Sequence, residues 1–465
     1  MIQGVADKVT DMDDWQRIAE AVDAEVDRGL EDLLGAIRIP SVVAWGEENL
    51  GRSADYLSAL LNKDGWIAAP VKVADNTGVY AEIGTQHDRS IVLYGHHDVQ
   101  PPEPLDAWTD PPFEPVIRDD RIYGRGAADN KGQFFAYIFA VRALRKLYGD
   151  VPLHLKFFID GEEEVGNPHL ADMIKVLKSK LMGSVLVFTI DGPEHPTGDP
   201  RIVFGFRGGF TLRITVNAMA ADLHSGHWGN IAPDAAMVLT RLLSSLIDED
   251  GRVRASGFYD GITPPTPYER KAMDAIPFDD AAVMEDLGAQ EFSGPQNVRA
   301  MERMMFLPSL VVTGLKSGYV GTGTQHQNSI SASATAQIDV RTVVGQDRAQ
   351  MIAGMREFIL AQCPYAQIEV LSDKWPSSTP METPYAQAVI RAFQTGFGKD
   401  PVLLPRSGGS APDVLFTREL GLPSLWTHIA NADMRGHAPN ENMRIDRIKA
   451  GARASAALML ELARE

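Results

Sequence analysis

The stretch Ile91–Pro101, with the sequence IVLYGHHDVQP, limits the folds open to this chain more than any other segment. Four apolar or aromatic residues lead up to Gly95, and His96, His97 and Asp98 follow at once. A buried strand that ends in such groups is typical of α/β proteins, in which ligands bind beyond the carboxyl ends of the strands. A strand followed by an ordinary polar turn explains this stretch alone equally well, because short motifs often match by chance. The rest of the chain must decide between the two interpretations.

Strands and helices are predicted to alternate around this stretch. Apolar residues three or four positions apart predict a helix over 14–38, which ends before Pro40. Helices are also predicted over 53–63, 132–147 and 168–181, and strands over 70–74, 78–83, 91–94, 153–159 and 185–190. The last of these strands is apolar on both faces, as a covered parallel strand requires. The alternation predicts an α/β fold with a mostly parallel sheet covered by helices.

The pattern changes near Gly205, where 210–216 alternates like a half-exposed strand. Helices are predicted over 233–249 and 347–362, and strands over 309–314, 330–341 and 367–371, with a Pro-rich and then Met-rich region up to 306. The earlier alternation resumes with a helix from Thr383 to Phe397, a strand over 401–404 and a helix over 444–464. A chain of 465 residues usually needs more than one core. We therefore expect a catalytic domain formed by 1–205 and 381–465, and an inserted α+β domain at 206–380.

Composition argues against several classes of function. The chain has 44 Lys and Arg against 62 Asp and Glu, a net charge of −18, which argues against a nucleic-acid partner. Cys363 is the only cysteine, so neither an intrachain disulfide nor a thiolate zinc cluster can form. The first residues lack the apolar core of a signal peptide, and no run approaches the roughly 18 apolar residues of a membrane span. We expect a cytoplasmic enzyme with no membrane partner.

Histidines and carboxylates follow several of the predicted strands. They are His96 and Asp98 after 91–94, Glu162, Glu163 and Glu164 after 153–159, Asp191 after 185–190, Asp129 in the turn GRGAADNKG, and His437 in RGHAPNE. Each alone has an ordinary explanation, such as a helix cap for Asp129 or a solvated turn for the glutamates. Together they favour a nitrogen and oxygen site for divalent metal, which suits zinc and is also compatible with manganese or cobalt. Two ions about 3.5–4 Å apart would need a shared carboxylate.

Seven motifs, in order over nearly the whole chain, resemble those of the M20 family of metallopeptidases and amidohydrolases. They are Tyr94–Pro101 (YGHHDVQP), Tyr123–Gly132 (YGRGAADNKG), Asp160–Gly166 (DGEEEVG), the strand end at Asp191, Asp222–Gly226 (DLHSG), Asn328–Arg341 and Gly436–Glu441 (GHAPNE). The YGHHDVQP motif and the long inserted region make the chain most similar to the dipeptidase, or carnosinase-like, branch. The resemblance implies that the inserted domain acts as a lid and forms a homodimer.

The resemblance also implies a metal centre with two divalent ions, zinc being the expected metal. The implied ligands are His96 and Asp191 for one ion, Glu164 and His437 for the other, and Asp129 as the bridge between them. A cis peptide bond between Asp129 and Asn130 is a further expectation from the family.

The implied chemistry is hydrolysis of an amide bond by a hydroxide that bridges the two ions. Glu163 would be the general base, which takes a proton from the attacking water and gives it to the leaving amine. Asp98 would not bind metal but would fix the tautomer and orientation of His96. His97 occupies a variable position, from which its side chain could face the same pocket.

Five more residues match positions that bind substrate in the family. His224 in DLHSG, often supplied by the partner subunit, would stabilise the oxyanion. Arg341 would bind a substrate carboxylate, with a salt bridge at a strand edge as the alternative. Asn328 matches a polar contact in the same stretch, and Gly409 and Ser410 belong to a backbone-rich loop, GGSAP.

The expected substrate is a dipeptide or a related N-acyl amino acid. An N-acyl-amino-acid deacylase or a carboxypeptidase-like amidase of the same family is the alternative within the family. A metal-binding protein with a silent site is the alternative outside enzymes. It is disfavoured because Glu163 and the five matching ligands are all present.

Overall fold

The computed structural model describes residues 12–321 and 327–464, which form two compact units. Among the described residues, the first unit contains those up to Phe204, Thr379–Leu404 and those from Pro412, and the second contains those of Gly205–Ser378 and Pro405–Ala411. The loop 405–411 thus belongs to the second unit, although the sequence analysis assigned it to 381–465. The catalytic, lid and dimerisation roles of the segments remain predictions. The stretch 1–11, where no signal peptide is expected, lies outside the described residues.

Helices occur in both units of the described chain. They are α1 (Met12–Ile37), α2 (Glu47–Lys63), α3 (Lys131–Tyr148), α4 (Leu170–Leu181), α5 (Ser225–Trp228), α6 (Ala235–Ser245), α7 (Pro267–Ala275), α8 (Asp280–Leu287), α9 (Ala300–Phe306), α10 (Arg348–Gln362), α11 (Pro384–Phe397), α12 (Asp413–Glu419) and α13 (Ile445–Arg464).

The strands form one large sheet in the first unit, one smaller sheet in the second, and several short ladders. They are β1 (Ile67–Val73), β2 (Asn76–Ile83), β3 (Ser90–His96), β4 (Val116–Arg118), β5 (Arg121–Tyr123), β6 (His154–Asp160), β7 (Val187–Ile190), β8 (Arg201–Val203), β9 (Gly205–Phe206), β10 (Gly208–Asn217), β11 (Leu223–His224), β12 (Ser309–Ser317), β13 (Ser329–Ile330), β14 (Ser333–Thr342), β15 (Ala366–Lys374), β16 (Ser377–Ser378), β17 (Val402–Leu404), β18 (Ser424–His428) and β19 (Asn442–Arg444).

The sheet of the first unit has the strand order β1-β2-β6-β3-β7-β18-β8-β17. The pairs β6–β3, β3–β7, β7–β18 and β8–β17 are parallel, and the others are antiparallel. Every residue of the central strand β3 is buried, as expected for a parallel strand covered on both faces. The α/β fold with a mostly parallel sheet, predicted from the sequence, is confirmed.

The helices of the first unit pack through the apolar faces predicted from their spacing. In α1, Ile18, Val22 and Val26 are fully buried, and the helix ends before Pro40. Helix α11 begins at a Thr383 cap with a proline in its first turn, an arrangement that satisfies the first backbone N–H groups.

The second unit is built on a four-stranded antiparallel sheet, β12-β14-β10-β15. Strands β10 and β14 alternate between buried and more exposed residues. Their buried side chains pack with residues of α6 and α10, among them Leu239, Met355 and Ile359. One face of this sheet therefore carries the core of the second unit.

Two sequence predictions in the second unit were incomplete. The region up to 306, for which no helix was predicted, contains α7, α8 and α9. Helix α7 begins with a capping box between Thr266 and Glu269, a local signal that the Pro-rich composition obscured. The predicted strand 330–341 is divided at Ala332, whose N–H donates to Asp222 instead of to a neighbouring strand.

Among the described residues, none of the helices combines the length and the apolar character needed to cross a membrane.

Candidate metal centre

Three of the five predicted ligands, His96, Glu164 and Asp191, lie at or just beyond the carboxyl ends of three neighbouring strands of the large sheet. Strands β6, β3 and β7 run parallel side by side, and His96 is in register with Asp160. Asp191 follows the last residue of β7, and Glu163 and Glu164 follow β6 after a short turn. Parallel strands bring their carboxyl ends to one edge, so residues far apart in sequence meet there.

Two groups of side chains at this edge have the geometry to hold a metal ion. One consists of His96, Asp129 and Asp191, and the other of Asp129, Glu164 and His437. Within each group one ligand atom per residue lies within 4.8 Å of the others. These two groups contain all five ligands implied by the sequence, divided as the resemblance implied.

Asp129 belongs to both groups and turns one oxygen toward each. Its Oδ1 lies 3.1 Å from His96 Nε2, and its Oδ2 lies 3.0 Å from His437 Nε2. The same His437 nitrogen lies 3.0 Å from Glu164 Oε2, and His96 Nε2 lies 3.7 Å from Asp191 Oδ2. This is the arrangement that a carboxylate bridging two ions requires. The peptide bond between Asp129 and Asn130 is cis, which confirms that prediction.

Asp98 links the imidazole of one group to the backbone that carries Glu163 and Glu164. His96 Nδ1 lies 3.1 Å from the Asp98 carbonyl oxygen and 3.4 Å from its Oδ1. The two Asp98 carboxylate oxygens accept hydrogen bonds from the N–H groups of Glu163 and Glu164 at 3.1 and 3.0 Å. A proton on Nδ1 leaves the Nε2 lone pair of His96 directed at Asp129 and Asp191.

Amide side chains hold two of the carboxylates in place. Asn130 Nδ2 donates to Asp191 Oδ1 at 3.0 Å and to the Ile190 carbonyl at 2.7 Å. Gln100 Nε2 donates to Glu164 Oε2 at 3.1 Å. Because Asn130 binds Oδ1 of Asp191, the other oxygen, Oδ2, faces His96. Neither amide contact was predicted from the sequence, although both residues lie inside the motifs YGRGAADNKG and YGHHDVQP.

Glu163 shares an open cavity with both groups. The cavity has a volume of about 490 Å³, and its lining includes Asp129, Glu163, Glu164, Asp191 and His437. Burial raises the pKa of Glu163 to about 7, and the nearby carboxylates act in the same direction while His96 opposes them. A carboxylate beside a divalent-metal site is in position to act on a water molecule there.

The electrostatics of these side chains favour a bound cation. Burial raises the pKa of Asp191 well above its ordinary value, and the Asp129 carboxylate adds to this effect. Hydrogen bonds to Asp129 and Glu164 raise the pKa of His437 to about 10, because its proton offsets their charge. The three carboxylates and two imidazoles of the two groups form the nitrogen and oxygen donor set typical of zinc, manganese or cobalt.

His97 does not face this cavity, so that expectation was wrong. The side chain is fully buried, and its Nε2 lies 2.8 Å from the Thr77 carbonyl oxygen. Burial lowers the pKa of His97 to about 4, which keeps the ring neutral. Side chains alternate across a strand, so two adjacent residues at a strand end point in opposite directions.

The predicted substrate residues lie in the second unit, in two places. His224 is exposed, its Nδ1 accepts a hydrogen bond from the Gly226 N–H, and its ring stacks on His227 with centroids 4.5 Å apart. The Asn328 carbonyl accepts a hydrogen bond from the Ser225 N–H at 2.8 Å, which brings Asn328 beside the His224 segment.

Arg341 lies at the end of β14 against the 405–411 loop. Its Nη1 donates to Ser410 Oγ at 3.0 Å, and its Nε donates to Asp339 Oδ2 at 2.8 Å. The salt bridge considered as an alternative is therefore present, together with a contact to the loop expected to bind substrate. In that loop the N–H of Gly409 donates to Ser407 Oγ at 3.3 Å.

Comparisons with known proteins agree with the motifs. The model of a family described as peptidase family M20/M25/M40 matches residues 92–461. A cysteinylglycine-S-conjugate dipeptidase from Corynebacterium striatum is 30% identical over 331 residues, 70% of each chain. A beta-Ala-His dipeptidase from Homo sapiens is 28% identical over 404 residues, 83% of this chain and 77% of the relative. The solved structure of an M20 family metallo-carboxypeptidase from Sulfolobus solfataricus superposes with a TM-score of 0.82 at 28% identity, covering 94% of this chain and 99% of that one.

Proposed function

Because the chain belongs to peptidase family M20/M25/M40, we propose that it hydrolyses the amide bond of a dipeptide or a related N-acyl amino acid with two bound metal ions. The observation that carries this proposal is the pair of ligand groups that share Asp129, with Glu163 lining the same cavity. One ion would be held by His96, Asp129 and Asp191, and the other by Asp129, Glu164 and His437. Zinc is the proposed metal, since the donors are imidazole nitrogens and carboxylate oxygens.

When bound, two such ions would lower the pKa of a water molecule and polarise the carbonyl that it attacks. Glu163 would accept the proton of that water at its carboxylate and deliver it to the nitrogen of the leaving amine. Asp98 supports this step by holding the N–H of Glu163 and the ring of His96. The proposed base, Glu163, and the proposed ligand, His96, are therefore both oriented by hydrogen bonds to Asp98.

Residues of the second unit would bind the rest of the substrate. The hydrogen bond from Gly226 to Nδ1 of His224 leaves a neutral His224 with its proton on Nε2, where it can donate to a developing oxyanion. Arg341, with Ser410 and Gly409 beside it, would bind the carboxylate end. Asn328 would add a polar contact next to His224.

A carboxypeptidase-like amidase or N-acyl-amino-acid deacylase is the second candidate. It is favoured by the similarity over nearly the whole chain to a metallo-carboxypeptidase of the same family. Both candidates use the same metal centre and differ in what the substrate presents on the acyl side of the scissile bond. A catalytically silent metal-binding protein is less well supported, since Glu163 lies in the cavity with the ligands. A cytoplasmic location remains a prediction from the sequence.

A panel of substrates tests the proposal. The names of two relatives make cysteinylglycine S-conjugates and β-Ala-His the first dipeptides to examine, beside N-acetyl amino acids and longer peptides. We expect the zinc-loaded protein to release amino acids from dipeptides with kcat/KM at least about tenfold above that for N-acetyl amino acids. Preference for the N-acetyl compounds would favour the deacylase instead. Release from no member, with two ions bound, would favour the binding protein.

We also propose that the protein is a homodimer formed through the inserted domain. Strand β12 is an edge of the four-stranded sheet, and its side chains Val311, Val312 and Leu315 are 53%, 44% and 60% exposed. An edge strand with apolar side chains is a surface on which a second copy can pair. The dimer would also allow the exposed His224 to serve the metal centre of the partner.

Mixing two inactive variants tests whether His224 acts across the dimer. We expect His224→Ala and Glu163→Ala each to lose turnover, and the mixture, after subunit exchange, to regain about one quarter of wild-type activity, because half of the dimers are mixed and each has one complete site. Turnover and light scattering measure activity and dimer content. A dimeric mixture that stays inactive would contradict action across the dimer. Mixing Glu163→Ala with Glu163→Gln should restore nothing and serves as the control.

A further inference from the structure

Glu441 is a buried carboxylate, and each of its two oxygens accepts two hydrogen bonds. Its Oε1 accepts hydrogen bonds from the N–H groups of Ala128 and Asp129 at 2.8 and 2.9 Å. Its Oε2 accepts from the Gly126 N–H at 3.0 Å and from Arg125 Nη1 at 2.8 Å. The side chain of Glu441 is 0% exposed, and that of Arg125 is 1% exposed. Neither Glu441 nor Arg125 lines the cavity, so the chemistry described above leaves this carboxylate without a role.

The backbone N–H groups that bind Glu441 belong to the turn that carries the bridging carboxylate. Several N–H groups converging on one point form an anion-binding turn, and Glu441 occupies it. Gly126 adopts a φ of 85°, which suits glycine, and a Cβ there would lie 2.8 Å from Val99 Cγ1. The hydrogen bond to Asp129 N–H fixes the backbone from which the Asp129 side chain reaches His96 and His437.

Glu441 also connects this turn to the loop that carries His437. Glu441 follows His437 by four residues, and its own carbonyl accepts the N–H of Gly124 at 3.0 Å. The next residue, Asn442, pairs with Tyr123 where β19 meets β5. The two segments are more than 300 positions apart in the sequence, and Glu441 connects them through its side chain and its backbone.

Arg125 extends this connection to the third loop that carries ligands. Its Nη2 donates to the Pro101 carbonyl at 3.3 Å, and its guanidinium lies 5.4 Å from the ring centroid of Trp108. Pro101 ends the stretch that begins with the strand of His96. The Arg125–Glu441 pair therefore touches all three segments that bring His96, Asp129 and His437 together.

We propose that Glu441, neutralised by Arg125, is a positioning residue that fixes the bridging Asp129 and the loop of His437 in their ligand geometry before any metal binds. The inference rests on the metal centre proposed above. A carboxylate can accept four hydrogen bonds from converging donors, whereas a glutamine amide at the same place would turn an NH₂ group toward N–H donors. Substitution should thus loosen the turn and weaken metal binding even though no ligand is changed. Partners of this kind typically contribute 10- to 100-fold to metal affinity.

The test is the zinc affinity of Glu441→Gln, measured by competition with a chromophoric chelator, with thermal unfolding recorded alongside. We expect a folded protein whose zinc affinity is about 10- to 100-fold weaker than that of the wild type. The control is Glu269→Gln, which removes another buried carboxylate that caps a helix and lies 3.7 Å from an arginine, in the second unit. This control should bind zinc like the wild type. Wild-type affinity in a folded Glu441→Gln would overturn the inference and leave the proposed function intact.

Hydrogen exchange of the wild-type protein keeps the inference testable if Glu441→Gln does not fold. In metal-free protein, the amides of Gly126, Ala128 and Asp129 should exchange as slowly as those of the buried strand β3, because the carboxylate holds them without metal. Fast exchange that slows only when zinc is added would mean that the metal orders the turn, which overturns the inference. A wild type that binds no zinc in either experiment would overturn the inference and the proposed function together.

Discussion

Glu163→Gln is expected to bind both metal ions and to lose turnover by about 10³-fold, within the range typical of removing a general base. Glu163 lines the cavity but belongs to neither ligand group, so its loss should leave the ions in place. Glutamine has nearly the same shape and cannot accept a proton from water. KM should change little, since the group acts on the attacking water and not on the bound substrate. Steady-state kinetics on the best dipeptide, with metal content measured by elemental analysis, gives both readings.

Glu162→Gln is the matched control for this experiment. Glu162 is the neighbouring residue of the same acidic run and is buried, but its carboxylate lies 2.9 Å from His169 Nδ1 and does not line the cavity. We expect its substitution to leave kcat within a few-fold of the wild type. A Glu163→Gln variant that turns over normally with both ions bound would exclude Glu163 as the base.

Asp129→Ala is expected to cause the largest loss, because it removes the one residue that belongs to both ligand groups. With neither oxygen present, each group keeps one imidazole and one carboxylate, too few to hold an ion tightly. We expect less than one ion per chain at zinc concentrations that saturate the wild type, and turnover lower by roughly 10³-fold or more.

Asp191→Ala separates the bridging role of Asp129 from that of an ordinary ligand. The group of Asp129, Glu164 and His437 remains complete in this variant. It should therefore retain one ion per chain while Asp129→Ala retains less. Equal metal contents in the two variants would contradict a bridging role for Asp129.

The parts of the fold that follow from local periodicity were predictable from the sequence. The apolar run before His96 predicted β3, and the alternation around it predicted neighbouring parallel strands whose ends meet. Once those ends meet, Asp191 and Glu164 must lie near His96. The prediction that these three residues share a site thus needed only the order of strands and helices and the rule for parallel sheets, whereas the ligand roles, with those of Asp129 and His437, came from the resemblance to the M20 family.

What the sequence did not reveal depends on contacts between distant segments. The four donors to Glu441 come from a turn more than 300 positions away, and the spacing of apolar residues does not predict such a long-range contact. Of the adjacent residues His96 and His97, only one can face the cavity. A shift of one residue in strand register would exchange them, so the sequence alone did not determine the direction of His97. Helices α7 to α9 were missed because they have only 9, 8 and 7 residues, too few for apolar spacing to mark a helix face.

The most direct test of the proposed function is a zinc titration of metal-free wild-type protein, with dipeptide hydrolysis followed at each step. We predict that the chain binds two ions and that turnover reaches its plateau only when both groups around Asp129 are filled. Addition of a strong chelator should abolish turnover, and zinc should restore it. Full turnover by protein that contains no metal, or two bound ions with no hydrolysis of any dipeptide or N-acyl amino acid, would contradict the central claim.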